Sequence, residues 1–239
     1  MEESWPQVQI ALDVVRLQDA LRIARAASSQ GIRWLEAGTP LIKSEGMRAV
    51  RVLSRTFPAR KVVADMKTLD AGSIETEMAF QAGAKVVSIS GLAHDRTVRD
   101  SVRTSARYDG VLMADLLMSP NPRKRARELE GLGVDIVCAH MGIDAQKALH
   151  SRSVVDRTTR DLVRTLRIPV AVAGGANPDS AAELVMSGVK LLIVGGWITG
   201  SKDPTKASRQ IVDRVRPVNK THDQTSVSRR VAIPEGKGR

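Results

Sequence analysis

Lys61-Val62-Val63-Ala64-Asp65-Met66-Lys67-Thr68-Leu69-Asp70 is an apolar, β-branched run that ends in two carboxylates and an ammonium. In an extended chain Asp65 and Lys67 flank Met66 and point to the same side. Opposite charges set side by side on a buried strand are costly unless they are hydrogen-bonded or engage something charged. A strand ending in Asp-x-Lys-x-x-Asp therefore reads as a working site. The bland alternative is a solvated turn after an ordinary strand.

The same unit, a short apolar strand followed by an amphipathic stretch, recurs on both sides of this segment. Strands are expected at residues 8–12, 34–37, 61–66, 86–90, 111–115, 135–139, 169–173 and 191–195. Leu17, Ala20, Leu21, Ala24 and Ala27 recur at helical spacing between the first two. Further helices are expected after Leu41, Ala71, Asp95, Asn121, Val155, Asn177 and Asp203, with Asp95, Asn121 and Asn177 as N-caps. Strands alternating with helices imply parallel pairing through right-handed crossovers. Eight such units in a 239-residue chain predict an α/β fold, a single (β/α)₈ TIM barrel. A doubly wound open sheet is the other arrangement compatible with this periodicity. The barrel is expected over residues 1–216. Residues 217–239 are polar and basic without helical periodicity and read as a flexible tail or linker.

Composition narrows the class. Hydrophobic residues make up 42% of the chain but aromatics only 3%, so the core must be aliphatic. The single cysteine, Cys138, lies in the apolar run Asp135-Ile136-Val137-Cys138-Ala139 and reads as a small buried hydrophobe. One cysteine allows no intrachain disulfide framework. With no apolar run of about 18 residues and an acidic N-terminus unlike a signal peptide, a soluble cytoplasmic protein without a membrane partner is expected. The net charge of +11 could attract a polyanion. Its arginines (Arg16, Arg22, Arg25, Arg48, Arg51, Arg55) are scattered along helical stretches, and stacking aromatics are nearly absent, which argues against nucleic acid and for either steering of an anionic substrate or an Arg-rich solvated surface.

Barrels of this kind carry their chemistry where strands end and βα loops begin. Those positions hold Asp13, Glu36, Asp65, Lys67, Asp70, Ser90, Asp115, His140, Gly174-Gly175 and Gly195-Gly196. Charged residues and glycines gather at strand ends while strand interiors stay apolar.

Six of these strand ends together resemble the 3-hexulose-6-phosphate synthases, in the suprafamily of orotidine 5′-monophosphate decarboxylase. The carrying segments are Ala11-Leu12-Asp13, Glu36-Ala37-Gly38-Thr39-Pro40 and Asp65-Met66-Lys67-Thr68-Leu69-Asp70. His140-Met141-Gly142-Ile143-Asp144-Ala145-Gln146, Val172-Ala173-Gly174-Gly175 and Val194-Gly195-Gly196-Trp197-Ile198-Thr199-Gly200 complete the set. The resemblance runs from about Gln9 to Arg216. It implies Mg²⁺ as cofactor and a reversible aldol addition of formaldehyde to D-ribulose 5-phosphate, giving D-arabino-hex-3-ulose 6-phosphate. It also implies a homodimer in which Asp70 reaches the active site of the partner subunit.

The residues suit that chemistry. Glu36 and Asp65 are hard oxygen ligands on adjacent strand ends, fitting Mg²⁺ with waters completing the octahedron. Lys67 would stabilise an enediolate electrostatically, and His140 would carry a proton. Asp13 grips substrate hydroxyls or holds Lys67. Gly174, Gly175, Gly195 and Gly196 would let backbone N–H groups approach a phosphate.

Two departures matter. Several suprafamily members carry an arginine where Gly196 stands, and Trp197 is bulkier than expected there. Two related activities compete. 3-Keto-L-gulonate-6-phosphate decarboxylases typically carry an arginine directly after the strand-six histidine, where this chain has Met141-Gly142. The orotidine enzyme typically carries a lysine where Glu36 falls. A non-catalytic barrel binding RNA or a protein partner is the alternative of a different class.

Overall fold

Parallel pairing of each strand with the next, and of the last with the first, closes the sheet, with inward and outward residues largely alternating. The structure, a computed structural model, describes residues 6–148 and 157–225. β1 (Gln7–Leu12), β2 (Trp34–Ala37), β3 (Lys61–Thr68), β4 (Val86–Ser90), β5 (Val111–Asp115), β6 (Ile136–His140), β7 (Val170–Ala173) and β8 (Leu191–Val194) form a closed parallel barrel in chain order, with β8 pairing back onto β1.

α1 (Leu17–Ser29) follows β1, and α2 (Thr39–Glu45) with α3 (Met47–Thr56) follows β2. α4 (Gly72–Gln81), α5 (Asp95–Arg107) and α6 (Pro122–Gly131) follow the next three strands. α7 (Ile143–Ala148) and α8 (Arg157–Thr165) follow β6, α9 (Pro178–Met186) follows β7, and α10 (Gly196–Thr199) and α11 (Pro204–Thr225) follow β8.

Two aliphatic layers result. Trp34, Val63, Val86, Ile136, Ala171 and Leu191 fill the barrel interior. Trp34 is only 1% exposed, and Lys61 Nζ sits 5.0 Å from its ring at the strands' N-terminal end. Outward residues such as Ile10, Leu35, Val62, Val87, Leu112 and Val137 pack against the helices. Burying a branched aliphatic side chain contributes about 1.5–3 kcal/mol, so these layers supply the main drive to fold without aromatics. Cys138 lies buried in the inner layer, as its apolar neighbours implied.

The expected strands form, with shifted edges. β6 starts at Ile136, the Asp135 carboxylate accepting the Leu112 N–H beside the strand start (2.8 Å), and extends to His140, which pairs with Ala173 of the next strand. The helix expected after Leu41 starts at Thr39, with Pro40 in its first turn, and is split in two at Gly46 (φ 60°). Asp95 is not an N-cap: His94 caps α5, its Nδ1 accepting the Arg96 N–H at 3.1 Å, while Asp95 occupies the first turn. Asn121 and Asn177 do cap α6 and α9, and Asn177 forms a reciprocal capping box with Ser180. The helix start expected after Val155 lies outside the described residues, α8 being described from Arg157. α11 runs to Thr225, past the boundary expected at Pro217, and residues 226–239 lie outside the described part. No helix among the described residues is long and apolar enough to cross a membrane.

The largest departure from a regular strand is in β3. Ala64 pairs with Val87, yet Thr68 pairs with Ile89, so β3 carries two residues more than β4 between those rungs. Lys67 takes up the excess in the left-handed region, with φ 47°. Such a conformation is uncommon for a side chain other than glycine or asparagine, and bulges of this type re-aim side chains beside active sites. Asp65 and Lys67 do face the same side, but through a bulge rather than through the plain alternation expected from the sequence.

Candidate active site

The inward residues at the C-terminal ends of β1–β3, β5 and β6 converge on one charged cluster. Asp65 (4% exposed) is held at both oxygens. Its Oδ1 accepts the Ser88 hydroxyl at 2.6 Å, and Oδ2 accepts the Thr39 hydroxyl at 2.6 Å and Lys67 Nζ at 2.5 Å. Lys67 Nζ also lies 3.2 Å from Asp115 Oδ2. That same Asp115 oxygen lies 2.7 Å from His140 Nδ1, while Asp115 Oδ1 accepts the Leu117 N–H at 2.8 Å. A continuous path thus runs from Asp65 through Lys67 and Asp115 to His140.

Glu36 stands next to this path. Gln9 Nε2 donates to Glu36 Oε2 at 2.8 Å, across the rung that places Ala11 opposite Glu36. Gln9 is fully buried, and its Oε1 has no partner among the described residues. An unpaired buried carbonyl costs about 1–3 kcal/mol.

Electrostatics set the protonation states. Burial pushes the Glu36 carboxyl well above its ordinary value, and Asp65 and Asp13 add to the rise. Asp13 is raised by desolvation first and by Asp65 second, although part of its side chain stays open at the mouth. Burial alone would raise Asp115, but the His140 hydrogen bond and charge, with Lys67 behind them, bring it below its ordinary value. Burial alone would lower Lys67, and the Asp65 and Asp115 carboxylates overcome it, so the ammonium is held protonated. Cys138 lies beneath, its thiol pushed up by burial and by the Asp115 and Glu36 charges. Four carboxylates thus share one ammonium and one imidazole, which leaves the site short of positive charge.

Two glycines shape the mouth. A Cβ on Gly38 would collide with Asp13 Oδ1 and lie 3.0 Å from the Leu12 carbonyl, so glycine gives the β2 loop room beside that carboxylate. Gly174 has φ 106°, and a Cβ there would run into the Met141 carbonyl. Gly175 (φ 74°) follows it after β7. Gly195 and Gly196 follow β8, where a Cβ on Gly195 would lie 3.3 Å from Asp13 Oδ2 and one on Gly196 would meet nothing. Beside His140 a cavity of about 210 Å³ opens, lined by Leu116, Leu117, Met118, Met141 and Leu162 among others.

The pattern of the orotidine 5′-phosphate decarboxylase / HUMPS family matches residues 6–211. The chain belongs to that family. Among relatives of this family member is the 3-hexulose-6-phosphate synthase of Staphylococcus haemolyticus, 33% identical over 87% of this chain and 98% of its own length. A solved 3-hexulose-6-phosphate synthase from Salmonella typhimurium superposes with a TM-score of 0.83 at 28% identity, covering 89% of this chain and 99% of that one. A solved 3-keto-L-gulonate-6-phosphate decarboxylase from Vibrio cholerae is also 28% identical, with a TM-score of 0.78, covering 90% of this chain and 99% of that one.

Of the residues singled out from the sequence, Asp13, Glu36, Asp65, Lys67 and His140 gather in the cluster. Asp70 does not join it: the residue is exposed and makes no hydrogen bond or ion pair among the described residues. Ser90 caps its own loop, its hydroxyl accepting the Leu92 N–H at 3.2 Å. Four contributors were not assigned a role from sequence: Gln9, Thr39, Ser88 and Asp115. Gln9 and Ser88 were detectable as polar side chains at inward positions of otherwise apolar strands.

Proposed function

We propose that this family member is a Mg²⁺-dependent 3-hexulose-6-phosphate synthase, adding formaldehyde reversibly to D-ribulose 5-phosphate. The observation that carries this reading is the Asp65–Lys67–Asp115–His140 path, which leaves His140 Nε2 without a partner among the described residues.

Glu36 and Asp65 are the residues that would hold Mg²⁺. Asp65 Oδ1 accepts only the Ser88 hydroxyl and Glu36 Oε1 accepts nothing among the described residues, so each keeps a free lone pair. The excess of carboxylates favours a cation. No three His, Cys, Asp or Glu side chains among the described residues form a metal cage; Mg²⁺ is commonly held by one or two carboxylates with waters. When bound, Mg²⁺ supplies Lewis-acid stabilisation of negative charge beside a carbonyl.

The protein's own groups do the rest. Asp115, held ionised, accepts the His140 Nδ1–H and leaves Nε2 as the base. Nε2 takes a proton from C1 of the sugar phosphate, giving an enediolate. Lys67, fixed by two carboxylates, faces the developing oxyanion without needing to reorganise. C1 then attacks the formaldehyde carbon, the new C–C bond forms, and the former aldehyde oxygen takes the proton from the imidazolium. Asp13 is open to the mouth and fits a substrate hydroxyl. Gly174, Gly175, Gly195 and Gly196 are suited to bring backbone N–H groups to the phosphate.

The exposed apolar side chains Leu69, Ile74 and Met78 flank or follow Asp70 in the sequence, and support a homodimer in which Asp70 serves the partner's site. A reduced cysteine and a sugar-phosphate substrate fit a cytoplasmic enzyme.

The V. cholerae likeness favours a second reading, decarboxylation of 3-keto-L-gulonate 6-phosphate through the same enediolate. Met141-Gly142 after His140, in place of an arginine, supports the synthase. Incubating the protein with ribulose 5-phosphate, Mg²⁺ and formaldehyde separates the two. Formaldehyde loss supports the synthase, whereas CO₂ release from the keto-gulonate ester without formaldehyde loss supports the decarboxylase.

A further inference from the structure

We infer that Gln9 is a positioning residue for divalent-ion binding, its buried amide holding the Glu36 carboxylate so that Oε1 faces the site. The inference rests on the reading of Glu36 and Asp65 as the ion's ligands. Gln9 is fully buried on β1, in register with Trp34 of β2 and Ile193 of β8, both apolar and both inside the barrel. A primary amide is a poor choice for that place on packing grounds. Its Nε2 has one bond, to Glu36 Oε2 at 2.8 Å, and its Oε1 has no partner among the described residues. Leucine or methionine would fill comparable space and leave no buried carbonyl unsatisfied.

What glutamine supplies instead is a single directed donor. Glu36 sits one residue pair nearer the mouth, opposite Ala11, and Gln9 is its only hydrogen-bond partner among the described residues. Without Gln9 the carboxylate is free to rotate about its χ angles under repulsion from Asp65 and Asp13, which both act on it. With Gln9 in place, Oε2 is taken and Oε1 is left for the ion. Groups that orient a metal ligand in this way typically change metal affinity by about 10–100-fold when removed.

The test measures ion binding, not turnover. Mn²⁺ replaces Mg²⁺ so that the free ion can be counted by electron paramagnetic resonance, with no sugar phosphate present. Wild type, Gln9→Met, Gln9→Leu and Asp65→Ala are compared as full-length chains, with thermal melts alongside. The inference expects Gln9→Met and Gln9→Leu to stay folded and to bind Mn²⁺ at least tenfold more weakly. Wild-type affinity in a folded Gln9 variant would overturn the inference and leave the ion reading standing, provided Asp65→Ala loses binding. Absence of Mn²⁺ binding in wild type would overturn both. Collapse of the fold in both Gln9 variants would assign Gln9 to packing and also overturn it.

Discussion

Asp115 Oδ2 lies 2.7 Å from His140 Nδ1, and the same oxygen lies 3.2 Å from Lys67 Nζ. One carboxylate atom therefore fixes a base on β6 and a cation on β3 relative to each other. Asp115→Asn keeps the shape but cannot hold the Nδ1–H tautomer and the ammonium together. Its kcat should fall about 10²–10⁴-fold with the sugar-phosphate KM little changed, which steady-state kinetics would read. A near-normal kcat would place the base elsewhere.

The same residue carries a pH signature. The folded Asp115 carboxyl lies below its ordinary 3.8, so beneath that value the unfolded chain binds more protons than the folded one. The stability Asp115 contributes is complete above pH 3.8 and is lost as pH falls through its lowered folded value. Asp115→Asn should therefore lower Tm near pH 7. The gap from wild type should narrow below pH 3.8. Melts across pH would show it, and a constant gap would contradict the ionised assignment.

Gly174 and Gly196 separate phosphate binding from folding. Gly174→Ala strains a left-handed residue and drives a methyl into the Met141 carbonyl, so it should lower Tm. Gly196→Ala places its methyl in open space and should leave Tm unchanged. If the β8 loop receives the phosphate, Gly196→Ala should still raise the KM for ribulose 5-phosphate several-fold. An unchanged KM would move the phosphate away from that loop.

Asp65 and Glu36 answer to metal removal. EDTA should abolish turnover and Mg²⁺ should restore it, while Asp65→Ala should be inactive in either condition with its circular dichroism spectrum preserved. Full activity of Asp65→Ala would remove the ion from the account.

Most of the barrel was legible because the strands are short, mostly aliphatic runs, several of them closed by a charged residue. Glu36, Asp65 and His140 could be read directly from those ends. The β3 bulge was not legible, since nothing local announces that Lys67 adopts φ 47°; that conformation is imposed by pairing Thr68 with Ile89. Gln9 and Ser88 stand out in sequence only as polar residues within apolar strands; their partners, Glu36 and Asp65, become visible only in the folded barrel. His94 displaced Asp95 as cap because imidazole Nδ1 accepts an N–H as an Asp or Ser oxygen does. Asp70 makes no hydrogen bond or ion pair among the described residues, and the role proposed for it lies in a second subunit's site.

Proton exchange at C1 of ribulose 5-phosphate in D₂O, followed by NMR with Mg²⁺ present and formaldehyde absent, tests the central claim most directly. Wild type should exchange one C1 proton stereospecifically, and His140→Ala should exchange it at least a hundredfold more slowly. Formaldehyde condensation without any such exchange, or exchange that survives intact in His140→Ala, would contradict the account.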